Sequence, residues 1–290
     1  MLKVTFKPNT LQQAYLKMPA LTLEPDILKF NDGSIRVTLP DMHNNIDHHY
    51  CTITSSIESM DDLMIVAQIK DIVERHSKRP KQFEFEIIGT PYTRYDRVMF
   101  ADKTDAFGAK VFADFVNSLN FGVVYLYDCH SQVMLDHINN SYNVDQDVLV
   151  YNILRECTSM QSDFNIVAPD KGATKKLKSA NMVFDKVRNV ETGQITGMEI
   201  VKDDSFPDKE FLVIDDICEG GRTFIELAKL FKQHKSNKLN LYVTHGIFSN
   251  NALEKLVEYY DTIYVYFMKE ELYDSLNSNI RSKLEIFMIT

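Results

Sequence analysis

The sequence predicts an α/β protein made of two doubly wound parallel-sheet domains, and three observations predict it. Short apolar runs of strand length alternate with amphipathic stretches of helix length through most of the 290 residues. Carboxylates, basic residues and glycines gather at the C-terminal ends of those runs, where open parallel sheets place their ligands. The chain is also long enough for two domains of ordinary size. A polar stretch at Asn139 to Gln146 sets the expected boundary, giving domains over 1–145 and 146–290.

The elements follow in order. Met1-Leu2-Lys3-Val4-Thr5-Phe6 lacks a signal-peptide core and reads as a first strand. Phe83 to Ile88 reads as a strand, and residues 105–119 as a helix with Val111, Phe112, Phe115, Val116 and Leu119 facing inward. Phe121 to Tyr127 is the next strand. In the second half, Phe164 to Ala168, Met182 to Phe184, Phe211 to Ile214 and Leu239 to Val243 are strand-like. Between the last two, Thr223 opens a helix with Glu226 completing a capping box and Phe224, Leu227, Ala228 and Phe231 as the core face. Ser249 caps a further helix from about Asn250, with Leu253, Leu256, Val257 and Tyr260 on one side, and the strand Thr262 to Phe267 follows.

Composition narrows the function. Hydrophobic content of 44% and charged content of 25% are those of a soluble globular protein. A formal net charge of −9 argues against a nucleic-acid-binding surface. An anionic substrate would then be held by particular basic residues, helix N-termini and metal ions. No apolar run approaches the ~18 residues of a membrane span. The four cysteines (Cys51, Cys129, Cys157, Cys218) show no C-x-x-C spacing, so neither a zinc site nor a disulfide framework is supported and a cytoplasmic location is expected.

The most informative run is Phe211 to Thr223. Four apolar residues end in Asp215-Asp216, and a Gly-Gly turn leads into the helix. Backbone N–H groups at a helix N-terminus attract an anion, and paired carboxylates can grip hydroxyls. A ribose phosphate offers both groups. An isolated Asp-Asp…Gly-Gly is more often a plain strand-turn-helix, so the other strand ends matter. Pro91-Tyr92-Thr93-Arg94-Tyr95-Asp96-Arg97 carries two planar guanidinium forks suited to a polyphosphate, although a solvated basic turn reads the same way. Asp128-Cys129-His130 closes the strand from Phe121 with a carboxylate and an imidazole at i, i+2, on the same side for a metal or its water shell, although a lone pair of this kind is more often a hydrogen-bonded structural one. Pro169-Asp170-Lys171-Gly172 ends a third strand. Lys186 and Arg188 lead into a polar hairpin or mobile loop at Asn189 to Gly197, and Thr244-His245-Gly246-Ile247-Phe248-Ser249 ends a fourth strand.

Together with Phe30-Asn31-Asp32-Gly33, this ordered series resembles the ribose-phosphate pyrophosphokinase family over nearly the whole chain. The run at 211–223 resembles the ribose-phosphate loop that the family shares with type I phosphoribosyltransferases. The resemblance implies two domains of type I phosphoribosyltransferase-like fold and assembly into homodimers or homohexamers. It implies transfer of the β,γ-diphosphate of ATP, with Mg²⁺, to the anomeric 1-hydroxyl of a ribose 5-phosphate group. It implies neither a nucleic-acid nor a membrane partner. Carried over by position, Phe30 and Asp32 lie near the adenine from a neighbouring subunit, and Arg94, with Tyr95 and Arg97, binds ATP. His130 binds Mg²⁺ with Asp128 nearby, and Asp170 serves a second metal or the ribose. Lys186 and Arg188 stabilise the moving diphosphate. Asp215 and Asp216 accept the ribose hydroxyls, and Glu219, Gly220, Gly221, Arg222 and Thr223 receive the 5-phosphate.

Departures from the family pattern open a choice of acceptor. Tyr95 stands where a glutamine is usual, Ser34 where a glutamate is usual, and Glu219-Gly220-Gly221-Arg222-Thr223 where Asp-Thr-Gly-Gly-Thr is common. Replacing a hydroxyl donor with a long cationic fork suits a 5-phosphate that carries a further group, as in ADP-ribose, the acceptor of a branch linked to NAD rebuilding. Ribose 5-phosphate and ADP-ribose stand as equal expectations. Two rivals remain: a phosphoribosyltransferase, which leaves the Phe30 and Pro91 motifs without a role, and a catalytically silent regulatory subunit, against which the retained acids and bases argue.

Overall fold

The computed structural model describes residues 1–8, 19–40, 42, 49–76, 82–100, 102, 104–157, 164–188 and 195–290. These fall into two compact units, Met1–Val144 and Asp145–Thr290.

In chain order the first unit contains Leu2–Lys7 (β1), Leu21–Leu23 (β2), Asp26–Lys29 (β3), Ile35–Thr38 (β4), Tyr50–Ser56 (β5) and Met60–His76 (α1). Gln82–Ile88 (β6), Gly108–Ser118 (α2), Val123–Tyr127 (β7), Gln132–His137 (α3) and Ser141–Val144 (β8) follow. Its main sheet has the order β2-β1-β5-β6-β7-β8. β5 through β8 are parallel, while β1 runs antiparallel to both β2 and β5. The core closes when α1 lays Leu63, Val66, Ile69 and Val73, and α2 lays Phe112, Ala113 and Val116, against strand residues such as Ile53, Phe85 and Leu126. β3 and β4 form a separate hairpin, clamped to α1 by Gln68. The Gln68 amide accepts from the Val37 N–H at 3.1 Å and donates to the Ile35 carbonyl at 2.8 Å.

One expectation fails in this unit. Val111 and Phe115 of α2 do not face inward but stand 49% and 51% exposed, because the buried stripe runs through Ala109, Phe112, Ala113 and Val116 only. The division between the two units, after Val144, falls within the polar stretch at Asn139 to Gln146. That stretch contains β8, an edge strand none of whose four residues is fully buried.

The second unit contains Gln146–Cys157 (α4), Asn165–Ala168 (β9), Met182–Arg188 (β10), Ile195–Asp203 (β11), Phe211–Cys218 (β12), Arg222–His234 (α5) and Leu239–Gly246 (β13). Ala252–Leu256 (α6), Ile263–Met268 (β14), Glu270–Ser275 (α7), Ser278–Arg281 (α8) and Leu284–Ile289 (β15) complete it. The sheet order is β11-β10-β9-β12-β13-β14-β15, parallel except for the β10–β11 hairpin. β14 is buried at all six positions and β13 at all but one, as expected of strands covered on both faces. After β9 the chain moves to β10 on one side; after β12 it moves to β13 on the other. The neighbouring pair β9 and β12 therefore marks the topological switch point, where an open α/β sheet leaves a crevice at its carboxyl ends.

The capping expectations are also corrected here. Gly221, at φ +71°, holds the N-cap position of α5 without any side-chain cap, and Thr223 lies within the first turn. No capping box forms, and Glu226 pairs with Lys229 at 3.0 Å instead. The buried face of α5 is the expected one: Phe224, Leu227, Ala228 and Phe231. Ser249 does not cap α6 with its side chain; its carbonyl accepts the Ala252 N–H at 3.2 Å and Asn251 is the N-cap residue. Among the described residues no helix is long and apolar enough to cross a membrane.

Candidate active site

In the second unit the expected residues gather around the switch point. β12 does not end at Ile214. Its ladder with β13 continues through Asp215–Val243, Ile217–His245 and Cys218–Gly246, so both acids lie inside the strand. Asp215 is half-buried, and its Oδ1 accepts the Asp216 N–H at 2.9 Å. Asp216 is buried, and Lys176 Nζ lies 2.9 Å from its Oδ2. Cys218 is buried next to this pair. Desolvation, with Asp215 adding to it, pushes its thiol up to about 12.

Beyond Cys218 the chain turns through Glu219 and Gly220 to Gly221. The positive φ of Gly221 and its tight seat both favour glycine, since a Cβ there would sit 3.3 Å from Ala252 Cβ and Leu256 Cδ1. The turn lets α5 begin directly at the strand end, so its N-terminal N–H groups meet the crevice. Arg222, its first residue, is exposed, and Thr223 is half-buried. The Thr244–Ser249 motif braces this turn: the Ile247 and Phe248 N–H groups both donate to the Cys218 carbonyl, at 2.9 and 3.0 Å. Gly246 is required by close approach. A Cβ would lie 2.3 Å from a Phe248 ring carbon and 2.6 Å from Val265 Cγ1. Sequence reasoning read the motif as a strand end and missed this constraint.

The loop after β9 supplies the other wall. Asp170 Oδ1 accepts the Ala173 N–H at 3.0 Å and so starts a 3-10 turn over Ala173–Lys175; its Oδ2 meets Lys186 Nζ at 3.0 Å. Lys171 Nζ reaches Asp185 Oδ2 at 2.7 Å, and this carboxylate raises the lysine's pKa. Two successive loop residues thus exchange ion pairs with two successive strand residues. Lys186 and Arg188 lie on β10 itself, with Lys186 opposite Met198 and Arg188 opposite Ile195. The expected hairpin is present, but the two residues stand on its rising strand rather than on a loose loop. Residues 189–194, at the centre of the expected loop, lie outside the described residues.

The first unit holds the remaining candidates. At the tip of the β3–β4 hairpin, the Phe30 N–H donates to the Ser34 carbonyl at 2.8 Å, and Phe30 is 44% exposed. Asp32 Oδ1 accepts from both the Ser34 hydroxyl (2.7 Å) and its N–H (2.9 Å), and these bonds hold the carboxyl below its usual range. Ser34, noted only as a departure, therefore organises the turn. After β6, Arg94, Tyr95 and Arg97 are all exposed. Asp96, which sequence reasoning passed over, ties this loop to the next: its carboxylate meets Arg97 Nε at 3.3 Å and accepts from the Ser131 hydroxyl at 2.9 Å. Ser131 in turn caps α3 by accepting the Val133 N–H.

Asp128 and His130 do not share a face. β7 ends at Tyr127 and Asp128 turns into the left-handed region at φ 46°, so strand alternation no longer applies; Asp128 is buried and His130 exposed. Among the described residues no group of three or more His, Cys, Asp or Glu side chains converges on a common cation position.

No family model matches the chain. The ribose-phosphate pyrophosphokinase of Aquifex aeolicus (strain VF5) is 27% identical over 243 residues, covering 79% of this chain and 74% of that one. Ribose-phosphate pyrophosphokinase A of Dictyostelium discoideum is 24% identical over 242 residues, with 79% and 72% covered. The crystal structure of phosphoribosylpyrophosphate synthetase from Mycobacterium smegmatis matches at a TM-score of 0.67 and 18% identity, over 97% of this chain and 91% of that one. The resemblance read from the motif series is borne out over most of the chain, and so is the fold of two mixed α/β sheet units.

Proposed function

We propose that this chain, a relative of the ribose-phosphate pyrophosphokinases, transfers the β,γ-diphosphate of ATP to the anomeric 1-hydroxyl of a ribose 5-phosphate group and releases AMP. The observation that carries the reading is the crevice between β9 and β12. There a glycine turn, a helix N-terminus and the Asp170–Lys186 pair at 3.0 Å meet around two strand-borne acids. Diphosphate transfer asks mainly for positioning and charge neutralisation, which is what fixed N–H groups, lysines and carboxylates supply.

In this reading Asp215 and Asp216 accept the ribose hydroxyls, and the backbone from Glu219 to Thr223 donates to the 5-phosphate. Lys186 and Arg188 stabilise charge on the diphosphate in flight. In the first unit Arg94, Tyr95 and Arg97 take the ATP phosphates and Phe30 and Asp32 the adenine of a neighbouring copy. The exposed apolar residues Ile27, Leu28 and Phe30 on the hairpin support assembly of homodimers or homohexamers. Mg²⁺ suits the donors present, because it binds through one or two carboxylates together with substrate phosphates, and the Asp170 carboxylate is 31% exposed. Asp170 would hold one ion and the exposed His130 another, without Asp128; bound Mg²⁺ would supply neutralisation of the phosphate charge. Substrates of this kind fit a cytoplasmic enzyme.

A second acceptor, ADP-ribose, is favoured by Arg222. It is exposed at the first position of α5, beside Gly220, where an added Cβ would meet nothing within 4 Å. That opening accommodates a substituent on the 5-phosphate, and the guanidinium would hold its distal phosphate. The test is to incubate the protein with ATP and Mg²⁺, offer ribose 5-phosphate or ADP-ribose, and follow AMP release with each. AMP release with neither would overturn the proposal.

A further inference from the structure

We infer that Lys176 is a positioning residue for the acceptor, holding the Asp216 carboxylate where it receives a sugar hydroxyl. The inference rests on the reading of Asp216 as an acceptor-binding group. Asp216 is only 7% exposed, and a carboxylate that deep is costly without a cation beside it. Lys176 Nζ supplies one at 2.9 Å, reaching in from a side chain that keeps 32% exposure. A charge-assisted contact to Oδ2 fixes the orientation of the acid while leaving its carboxylate an acceptor.

The lysine is itself set in place by the other acid of the crevice. Asp170 Oδ1 accepts the Ala173 N–H and starts the turn, and the Lys176 and Leu177 N–H groups both donate to the Ala173 carbonyl, at 3.1 and 2.9 Å. Leu177, 5% exposed, anchors the turn in the core. A chain of contacts therefore runs from Asp170 at the end of β9, through the turn, to Lys176 and on to Asp216 in β12. The β9–β12 ladder ends at Val167 and Val213, and beyond it this lysine ties the turn after β9 to β12. The group it serves is a hydroxyl-bearing sugar rather than a phosphate, because its contact is made with an acid.

The experiment compares wild type, Lys176→Met, Lys176→Arg, Asp216→Asn and the Lys176→Met/Asp216→Asn double variant in steady-state kinetics. Ribose 5-phosphate and, in parallel, ADP-ribose serve as acceptors. Lys176→Met is expected to raise the acceptor KM by about tenfold or more while the ATP KM stays within about twofold. Lys176→Arg should recover most of the loss, and the double variant should be no worse than Asp216→Asn alone. If Lys176→Met does not fold, the comparison of Asp216→Asn with the double variant carries the test, since removing the buried charge removes the need for its partner. Wild-type kinetics in Lys176→Met with Asp216→Asn impaired would overturn the inference alone. So would losses that add in the double variant, or an ATP KM raised as much as the acceptor KM. Wild-type kinetics in Asp216→Asn would overturn the underlying reading of that acid.

Discussion

In the first unit β6 ends at Ile88 and the next helix begins only at Gly108, whereas in the second β12 ends at Cys218 and its helix begins at Arg222. The sheets are alike in plan, but the long loop presents side chains and the short turn presents backbone. Arg94, Tyr95 and Arg97 have exposed side chains, on a loop tied down by the Asp96–Ser131 bond and by the Ala109 N–H donating to the Tyr95 carbonyl at 3.0 Å. The short turn is braced from below by the Ile247 and Phe248 N–H groups and walled by buried or paired acids. Binding through exposed side chains can change without disturbing the fold; binding through a packed turn cannot.

The sharpest break of this contrast comes from Lys186→Ala set against Arg94→Ala. The Lys186 change should lower turnover on the order of 10²-fold or more with small shifts in Michaelis constants. Arg94→Ala should mainly raise the KM for ATP, by about tenfold, and leave the thermal midpoint unchanged. Stopped AMP-release assays on both variants check the pair; near-normal turnover without Lys186 would remove it from the mechanism. Next, Arg222→Ala should reduce kcat/KM for ADP-ribose about 10- to 100-fold more than for ribose 5-phosphate if the second acceptor is the true one. Equal losses would favour ribose 5-phosphate.

The stability side of the comparison is smaller in effect. Gly246→Ala should destabilise by about 1–3 kcal/mol in urea titrations, because Phe248 or Val265 must move. Gly220→Ala, with open space around it, should cost far less. A midpoint for Gly246→Ala equal to wild type would show that the brace under the turn is loose.

How much of this was legible in sequence differs between the units for the same reason. The second unit's central strands β9, β12, β13 and β14 were found because they are apolar on both faces, whereas β11 and β15 were not read and β12 was read four residues short (Ile214 rather than Cys218). A hydrogen-bond ladder continues under Asp215 and Asp216 regardless of side-chain polarity. Thr223 was given a capping role on its spacing to Glu226, while Gly221 holds that position by backbone angle. In the first unit the α2 stripe was drawn too wide, since Val111 and Phe115 satisfy helical spacing without being buried. Contacts such as Asp96–Ser131 and Lys176–Asp216 join residues far apart in the chain and leave no local trace in sequence.

The smallest expected effect concerns thiols in the two cores. Burial pushes Cys51, and likewise Cys218, up to about 12, so both should resist alkylation at pH 8 in the native state and react once the chain is unfolded. The sign for stability follows: the native state keeps protons that the unfolded chain releases near its ordinary thiol range. Their contribution is therefore complete below about pH 9 and lost as pH rises toward about 12. Rapid native labelling of Cys218 alone would show that the second unit's turn opens more readily than the first unit's core.

The central claim is that the second unit's crevice accepts a whole diphosphate. Phosphorus NMR of the reaction of ATP, Mg²⁺ and acceptor tests it most directly. The account predicts AMP and an intact diphosphate on the acceptor's anomeric oxygen, formed one to one. ADP with a singly phosphorylated acceptor, or free phosphate alone, would contradict it.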